Sequence, residues 1–258
     1  MHTTYLYFSP TGGTEKAAAL IAKAIDSAAI PLDISCSTAN FHLNFGKDDL
    51  CIIAVPSFGG RVPAVALARL QQMTADGAKA VLITAYGNRD YDDTLLELKE
   101  TMLARGFCVI AAIAAVTEHS IVHQFGAHRP DAADAAVLRG YAAQIKEALA
   151  ADVAFTDVKV KGNHPYREYH GVPMKPAADK TCIRCGTCAK SCPVGAIPLA
   201  NPTETDKDTC ISCMRCIAVC PQHSRKLNPV MLFAVSKKLE KACATRKENE
   251  CFFGFSSK

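Results

Sequence analysis

Residues 182–193 read CIRCGTCAKSCP, and residues 210–221 read CISCMRCIAVCP. The spacing C-x2-C-x2-C-x3-C-P occurs in both, 28 positions apart, and takes up eight of the chain's 13 cysteines. This repeat constrains folding more than any apolar pattern, because eight side chains must converge on whatever they hold. Internal repetition predicts two similar units stacked about a pseudo-twofold. Structural zinc takes four N or S ligands, usually as two separated pairs. A third cysteine two residues further on, followed by Cys-Pro, departs from that pattern. Disulfide frameworks belong to exported chains. Here Met1 leads almost directly into TTYLYF, with no basic leader and no cleavage pattern, so the expected compartment is the reducing cytoplasm.

The repeated run is the signature of bacterial-type ferredoxins, in which the fourth cysteine of each run ligates the other [4Fe–4S] cluster. The resemblance implies that Cys182, Cys185, Cys188 and Cys220 hold one cluster, and that Cys210, Cys213, Cys216 and Cys192 hold the second. Of the other cysteines, Cys36, Cys51 and Cys108 fall in expected strands and read as small core residues. Cys243 and Cys251 are scattered near the end.

The first part of the chain has another rhythm. Apolar runs at Thr3–Phe8, Pro31–Cys36, Asp49–Val55, Lys79–Ala85 and Phe107–Val116 alternate with helical periodicity at Thr14–Ala28, Val62–Met73, Asp92–Arg105 and Asp131–Ala151. Strands apolar throughout are covered on both faces. Five of them separated by helices predict an α/β fold with a doubly wound parallel sheet. No apolar run is long enough to cross a bilayer. Charge is unevenly divided: residues 1–160 carry 13 Lys and Arg against 17 Asp and Glu, whereas residues 161–258 carry 16 against 8. No recognition helix or aromatic-basic platform accompanies the basic half, so no nucleic acid is expected. Anionic clusters, or an acidic docking partner, account for it more simply.

Three loops follow the expected strand ends, where such sheets bind ligands. The first, SPTGGT, places Ser9, Thr11, Gly12, Gly13 and Thr14 at the opening of a helix. Hydroxyls and glycines there let backbone N–H groups close around a phosphate. The loop lacks the Gly-Lys-Ser/Thr of nucleotide-triphosphate loops and the G-x-G-x-x-G of dinucleotide folds. It resembles the phosphate loop of the flavodoxin family. That resemblance implies a five-stranded sheet in the order 2-1-3-4-5 and FMN as cofactor. It makes VPSFGGRVP, with Pro56, Ser57, Phe58, Gly59 and Gly60, one flavin side loop. TAYGNRDY, with Ala85, Tyr86, Gly87, Asn88 and Tyr91, is the other. In this reading the glycines admit backbone to flavin N5, and Phe58, Tyr86 or Tyr91 stacks, since the chain has no tryptophan. Tyr91 reads equally well as a core anchor. His119, His123 and His128 follow the fifth strand, either covering the flavin or relaying a proton to it, or, for at least two of them, standing in solvent.

These readings divide the chain into a flavodoxin-like FMN unit at 1–151, an extended linker at 152–178, a small α+β two-cluster ferredoxin-like unit at 179–224 and a helix with docking tail at 225–258. The prolines of GNHPYR and VPMKP make the linker a tether, anchored by Tyr166, Tyr169 and Val172. The FFGF near the end is expected to dock on the first unit or on a partner. The whole resembles fusions of a flavodoxin-like domain with a two-cluster ferredoxin. Expected function is electron transfer among clusters, FMN and a redox protein donor or acceptor. The alternatives are a reductase of a small-molecule acceptor such as a quinone or nitro compound, and a redox-responsive interaction module. Oligomeric state, including a homodimer, stays open.

Overall fold

The computed structural model describes residues 2–36, 39–151 and 153–255. The expected starts of the first unit at Met1 and of the linker at 152, and the last residues of the tail, 256–258, lie outside these. β1 (His2–Tyr7) leads into α1 (Gly13–Ile25), then β2 (Ile30–Asp33), a short β3 (Asn44–Phe45) and β4 (Asp49–Pro56). Next come α2 (Ala64–Leu70), a short β5 (Thr74–Ala75), β6 (Lys79–Tyr86), α3 (Thr94–Ala104), β7 (Cys108–Val116) and α4 (Ala132–Ala150). Beyond residue 150 lie β8 (Ala177–Ala178), one-turn helices α5 (Thr187–Lys190) and α6 (Arg215–Ala218), β9 (Arg225–Lys226), α7 (Pro229–Cys243) and β10 (Glu250–Phe253).

The main sheet runs β10-β7-β6-β4-β1-β2. Pairings of β1 with β2 and β4, of β4 with β6, and of β6 with β7 are parallel. Chain direction across the sheet reverses at β1, so a crevice opens between the carboxyl ends of β1 and β4, the topological switch point of a flavodoxin-like sheet. Both faces are covered. Leu6, Ile53, Leu82 and Ala112 pack toward Leu70, Leu95 and Met102 on one side, and Ile52, Val81 and Ile113 pack toward Ile21, Leu138 and Ile145 on the other. This double burial is why β4, β6 and β7 are apolar along their length.

A wholly parallel five-stranded sheet is not what forms. β10 adds a sixth strand, antiparallel to β7, with Phe252 opposite Ala112 and Phe253 opposite Ala111. Without it β7 would present a bare edge of backbone donors and acceptors. The FFGF stretch is thus secured largely by main-chain pairing; Phe253 and Phe255 pack against Tyr141 and Phe155, and Phe252 packs on the opposite face of the sheet. Cys36 also departs from expectation: it is exposed and lies beyond β2, whereas Cys51 is buried.

Residues 153–176 run without helix or strand. Their course is set by side chains on the first unit. The buried Asp93 carboxylate accepts from the backbone N–H groups of Asn163 and Arg167, both at 2.8 Å. The Arg61 guanidinium lies 4.9 Å from the Tyr166 ring centroid, and Ser212 Oγ donates to Val172 O at 3.1 Å. Arg69 joins the two halves, donating to Ile34 O and to Pro193 O at 2.6 Å each. No helix among the described residues is long and apolar enough to cross a membrane.

Candidate functional site

At the end of β1 the chain turns into α1 through Gly12, whose φ of 90° suits a residue without Cβ. No side chain caps the helix at Gly12. Ser9 instead braces the loop from behind: its N–H donates to Ser35 Oγ at 2.7 Å, and its Oγ accepts from Glu15 N–H at 2.9 Å. Lys16 turns away to Pro130 O at 2.8 Å. An uncapped helix start with small residues before it is a ready anion site. Thr11, Gly13 and Thr14 line the cleft beside it, while Ser9 and Gly12 shape the loop without lining it.

The cleft occupies the switch point and measures about 1570 Å³, counting space continuous with solvent. Pro56, Ser57, Phe58, Gly59 and Gly60 form one wall, and Ala85, Tyr86 and Gly87 another. Phe58 and Arg61 pair as an antiparallel bridge across Gly59 and Gly60, whose φ values are 61° and 89°. Two successive positive φ angles make a tight hairpin turn, which explains the paired glycines. What approaches Gly59 is the extended segment 153–176, a strap across the first unit: a Cβ there would lie 2.2 Å from the Tyr169 ring.

Two expected flavin contacts are corrected. Asn88 does not line the cleft. It is buried, and its side-chain amide donates to Cys243 O and Thr245 O at 3.0 Å while its Oδ1 accepts from Lys247 N–H at 3.0 Å. It therefore holds the returning tail. Tyr91 is also buried away from the cleft and donates to Glu250 on β10 at 2.6 Å. Both side chains answer to β10 and its approach, which loop composition does not announce.

Several lining residues come from elements that carry no flavin-loop motif. Tyr169, Val172 and Met174 of the strap cover one side, and Val235, Lys238 and Leu239 of α7 reach the mouth. His119 stands against Gly87, where a Cβ would come within 2.6 Å of it. Its Nδ1 accepts from the N–H groups of Ile121 and Val122, both at 3.1 Å, which leaves the ring proton on Nε2. Burial, then nearby positive charge, pushes its pKa down to about 4. His119 is thus a neutral ring at the cleft wall. His123 and His128 are exposed, and His123 pairs with Glu118 at 2.6 Å.

The cysteine runs line two hollows of about 320 and 330 Å³, counting space continuous with solvent. Cys182, Cys185, Cys188 and Cys220 line the first; Cys192, Cys210, Cys213 and Cys216 line the second. The grouping crosses the two runs, with each fourth cysteine delivered to the opposite hollow. Non-glycine residues Arg184, Ser212, Met214 and His223 hold positive φ around these hollows. Backbone strain of that kind gathers where loops wrap a bound group. No three His, Cys, Asp or Glu among the described residues converge closely enough for a single ion. A cube-shaped cluster needs less crowding, because each thiolate meets its own iron. As free thiols Cys213 and Cys216 are pushed up by burial, to about 12 and about 11, so they give up protons readily only when a metal replaces them. Donor type, number and enclosure all fit iron–sulfur clusters. Cys213 also lines the cleft, so one residue borders both cavities.

Similarity to known proteins divides along the same line. Residues 181–224 match the 4Fe-4S dicluster domain family. A component of the ion-translocating oxidoreductase complex of Methanosarcina acetivorans is 38% identical over 58 residues, 22% of this chain and 22% of that protein's length. A flavodoxin of Streptococcus pneumoniae TIGR4 overlaps 59% of this chain and 100% of its own, at 17% identity and a TM-score of 0.42. A flavodoxin from the domain Archaea overlaps 58% and 99%, at 14% identity and a TM-score of 0.39.

Proposed function

We propose that this chain, a flavodoxin-like unit joined to a 4Fe-4S dicluster domain, is an electron-transfer iron–sulfur flavoprotein. In this reading the cleft takes FMN, with its phosphate at Thr11–Thr14 and its ring between the loops at Phe58 and Tyr86. The two hollows take one [4Fe–4S] cluster each, on the crossed cysteine sets. Bound FMN supplies one- and two-electron chemistry, matching single-electron clusters to a wider range of partners. The protein residues do the rest. The α1 start and loop hydroxyls favour an anion, Tyr169 and Met174 keep water from one side, and the neutral His119 adds no positive charge to the wall. Redox proteins are the expected partners.

The observation that carries this reading is Cys213, which borders both the cleft and a cluster hollow. Tethering the sites in one chain replaces bimolecular encounter with a high effective concentration. A second reading, an FMN reductase of a small acceptor, is favoured by the open mouth of the cleft. Anaerobic purification with iron, sulfide and flavin analysis tests the first reading, with about eight irons and one FMN per chain expected. Colourless protein, or bound flavin left oxidised when the clusters are reduced, would sink it. Saturable multiple turnover on one small acceptor would favour the second.

A further inference from the structure

A flat ring bound in the cleft has two faces to cover, and few side chains there can cover them. The aromatic residues that line the cleft are Phe58, Tyr86, His119 and Tyr169. Tyr86 is 5% exposed, and its ring is spent on the core, with its centroid 5.3 Å from that of Tyr91. His119 meets the Phe125 ring edge-on. Phe58 and Tyr169 are both half-buried. Among the described residues, neither has another ring or a cation beside it.

Tyr169 belongs to the strap, outside the flavodoxin-like loops. Its ring rests on the glycine turn: a Cβ at Gly59 would fall 2.2 and 2.4 Å from two of the ring carbons. Only glycine admits that approach. The strap is held on either side of this tyrosine. Arg167 N–H donates to the Asp93 carboxylate of the first unit at 2.8 Å, and Val172 O accepts from Ser212 Oγ of the cluster half at 3.1 Å. Further on, Lys175 Nζ donates to Cys210 O. With such anchors the strap does not need the ring to fix its course. A tyrosine that serves as an anchor buries its ring and bonds its hydroxyl. Tyr169 does neither: the ring stays half-exposed on the cleft wall, and the hydroxyl has no partner among the described residues.

We propose that the strap supplies an aromatic platform for the cofactor: the Tyr169 ring packs on one face of the bound flavin ring, a contact that Tyr86 and Tyr91 are not free to make. The inference rests on the FMN reading above. Two aromatic rings in offset contact gain more than the apolar area they bury, and the covered face is closed to water. Phe58, the other ring without an aromatic neighbour, comes from the flavin side loop itself. Tyr169 comes from a segment whose next anchor is Ser212, the neighbour of Cys213. One short stretch therefore holds a flavin contact at one end and the wall of a cluster hollow at the other.

The test is an anaerobic titration of FMN into the full-length protein stripped of flavin, with iron counted on every sample. Loss of FMN fluorescence gives the Kd, and the flavin difference absorption spectrum reports the surroundings of the ring. Tyr169→Ala is expected to raise the Kd about tenfold and to move the spectrum toward that of free FMN. Tyr169→Phe keeps the ring and should stay within about twofold of wild type. Tyr166→Ala changes a strap residue whose ring lies against Arg61 and does not line the cleft, so it should bind FMN nearly as wild type does. Wild-type affinity in Tyr169→Ala overturns the proposal. So does a loss in Tyr169→Phe or in Tyr166→Ala as large as that in Tyr169→Ala, because the hydroxyl or the seating of the strap would then be responsible. If Tyr169→Ala fails to fold or loses iron, Tyr169→Leu against Tyr169→Phe decides: equal affinities refute the platform, and a gap of about tenfold supports it. Wild-type protein that takes up no FMN defeats the FMN reading instead, before any variant is compared.

Discussion

Asn88 has a φ of 64°, a backbone shape that asparagine tolerates better than most side chains. Its amide is the joint at which the tail re-enters the first unit, so its worth lies in three backbone partners, one buried and two partly buried. Asn88→Ala leaves those partners unsatisfied and is expected to cost about 2 kcal/mol, read as a lowered denaturant midpoint, with flavin content per folded chain unchanged. His119 makes a different prediction. Unfolded chain protonates it near 6.5, while in the fold burial, with His123 and Arg89 nearby, holds it to about 4. Between those values the unfolded state binds more protons, so this contribution to stability is intact above pH 6.5 and is lost as pH falls toward 4. His119→Asn, which offers an oxygen in place of Nδ1, should flatten that part of the stability–pH curve. An unchanged slope between pH 6.5 and 4 would place the loss elsewhere.

At the scale of elements, β10 does more than close an edge. Asn249, just before it, accepts from Val116 N–H at 2.8 Å and donates to Asp134 at 2.9 Å. Asp134 in turn pairs with the buried Arg129 at 2.5 Å. A chain ending at Glu248 keeps the Arg129–Asp134 pair but loses the Asn249 links together with the packing of Phe252 and Phe253. Stability is expected to fall by at least about 3 kcal/mol. The bared β7 edge should also promote association. Thermal melts and light scattering on the truncated chain check both, and a monomer as stable as the full chain would contradict the role given to β10. The glycine hairpin at 59–60 belongs to this scale too. Its motif is visible in the sequence, but the Tyr169 ring packed on it is not.

For the whole molecule, Arg69 is the joint between the halves. Its guanidinium sits 4.9 Å from the Phe41 centroid and bridges Ile34 O to Pro193 O, the residue after Cys192. Arg215 adds a second, weaker link, donating to Ser9 O at 3.2 Å behind the phosphate loop. Arg69→Met should leave two buried carbonyls without donors and cost about 2–4 kcal/mol. It should also slow electron exchange between clusters and flavin in flash or stopped-flow experiments, because the relative placement of the halves loosens. Unaltered exchange in a destabilised variant would assign that placement to the strap and the Arg215 link.

The chain's local patterns determined by themselves the α/β class, the order of the main strands and helices of the first unit and the two cysteine runs, while the crossed sets came from the resemblance to bacterial-type ferredoxins. They could do so because apolar periodicity and ligand spacing are properties of neighbouring residues. Eleven of the fifteen residues expected around the flavin line the cleft, all from loops whose composition carries the signal. Only the tertiary structure decided that Asn88 and Tyr91 serve the tail, that the strap and α7 finish the cleft, and that Cys213 borders two cavities. Each of those facts depends on segments distant in sequence meeting through packing and main-chain pairing, as in the bonds from Asn163 to Asp93, 70 positions apart, and from Lys247 to Asn88, 159 apart.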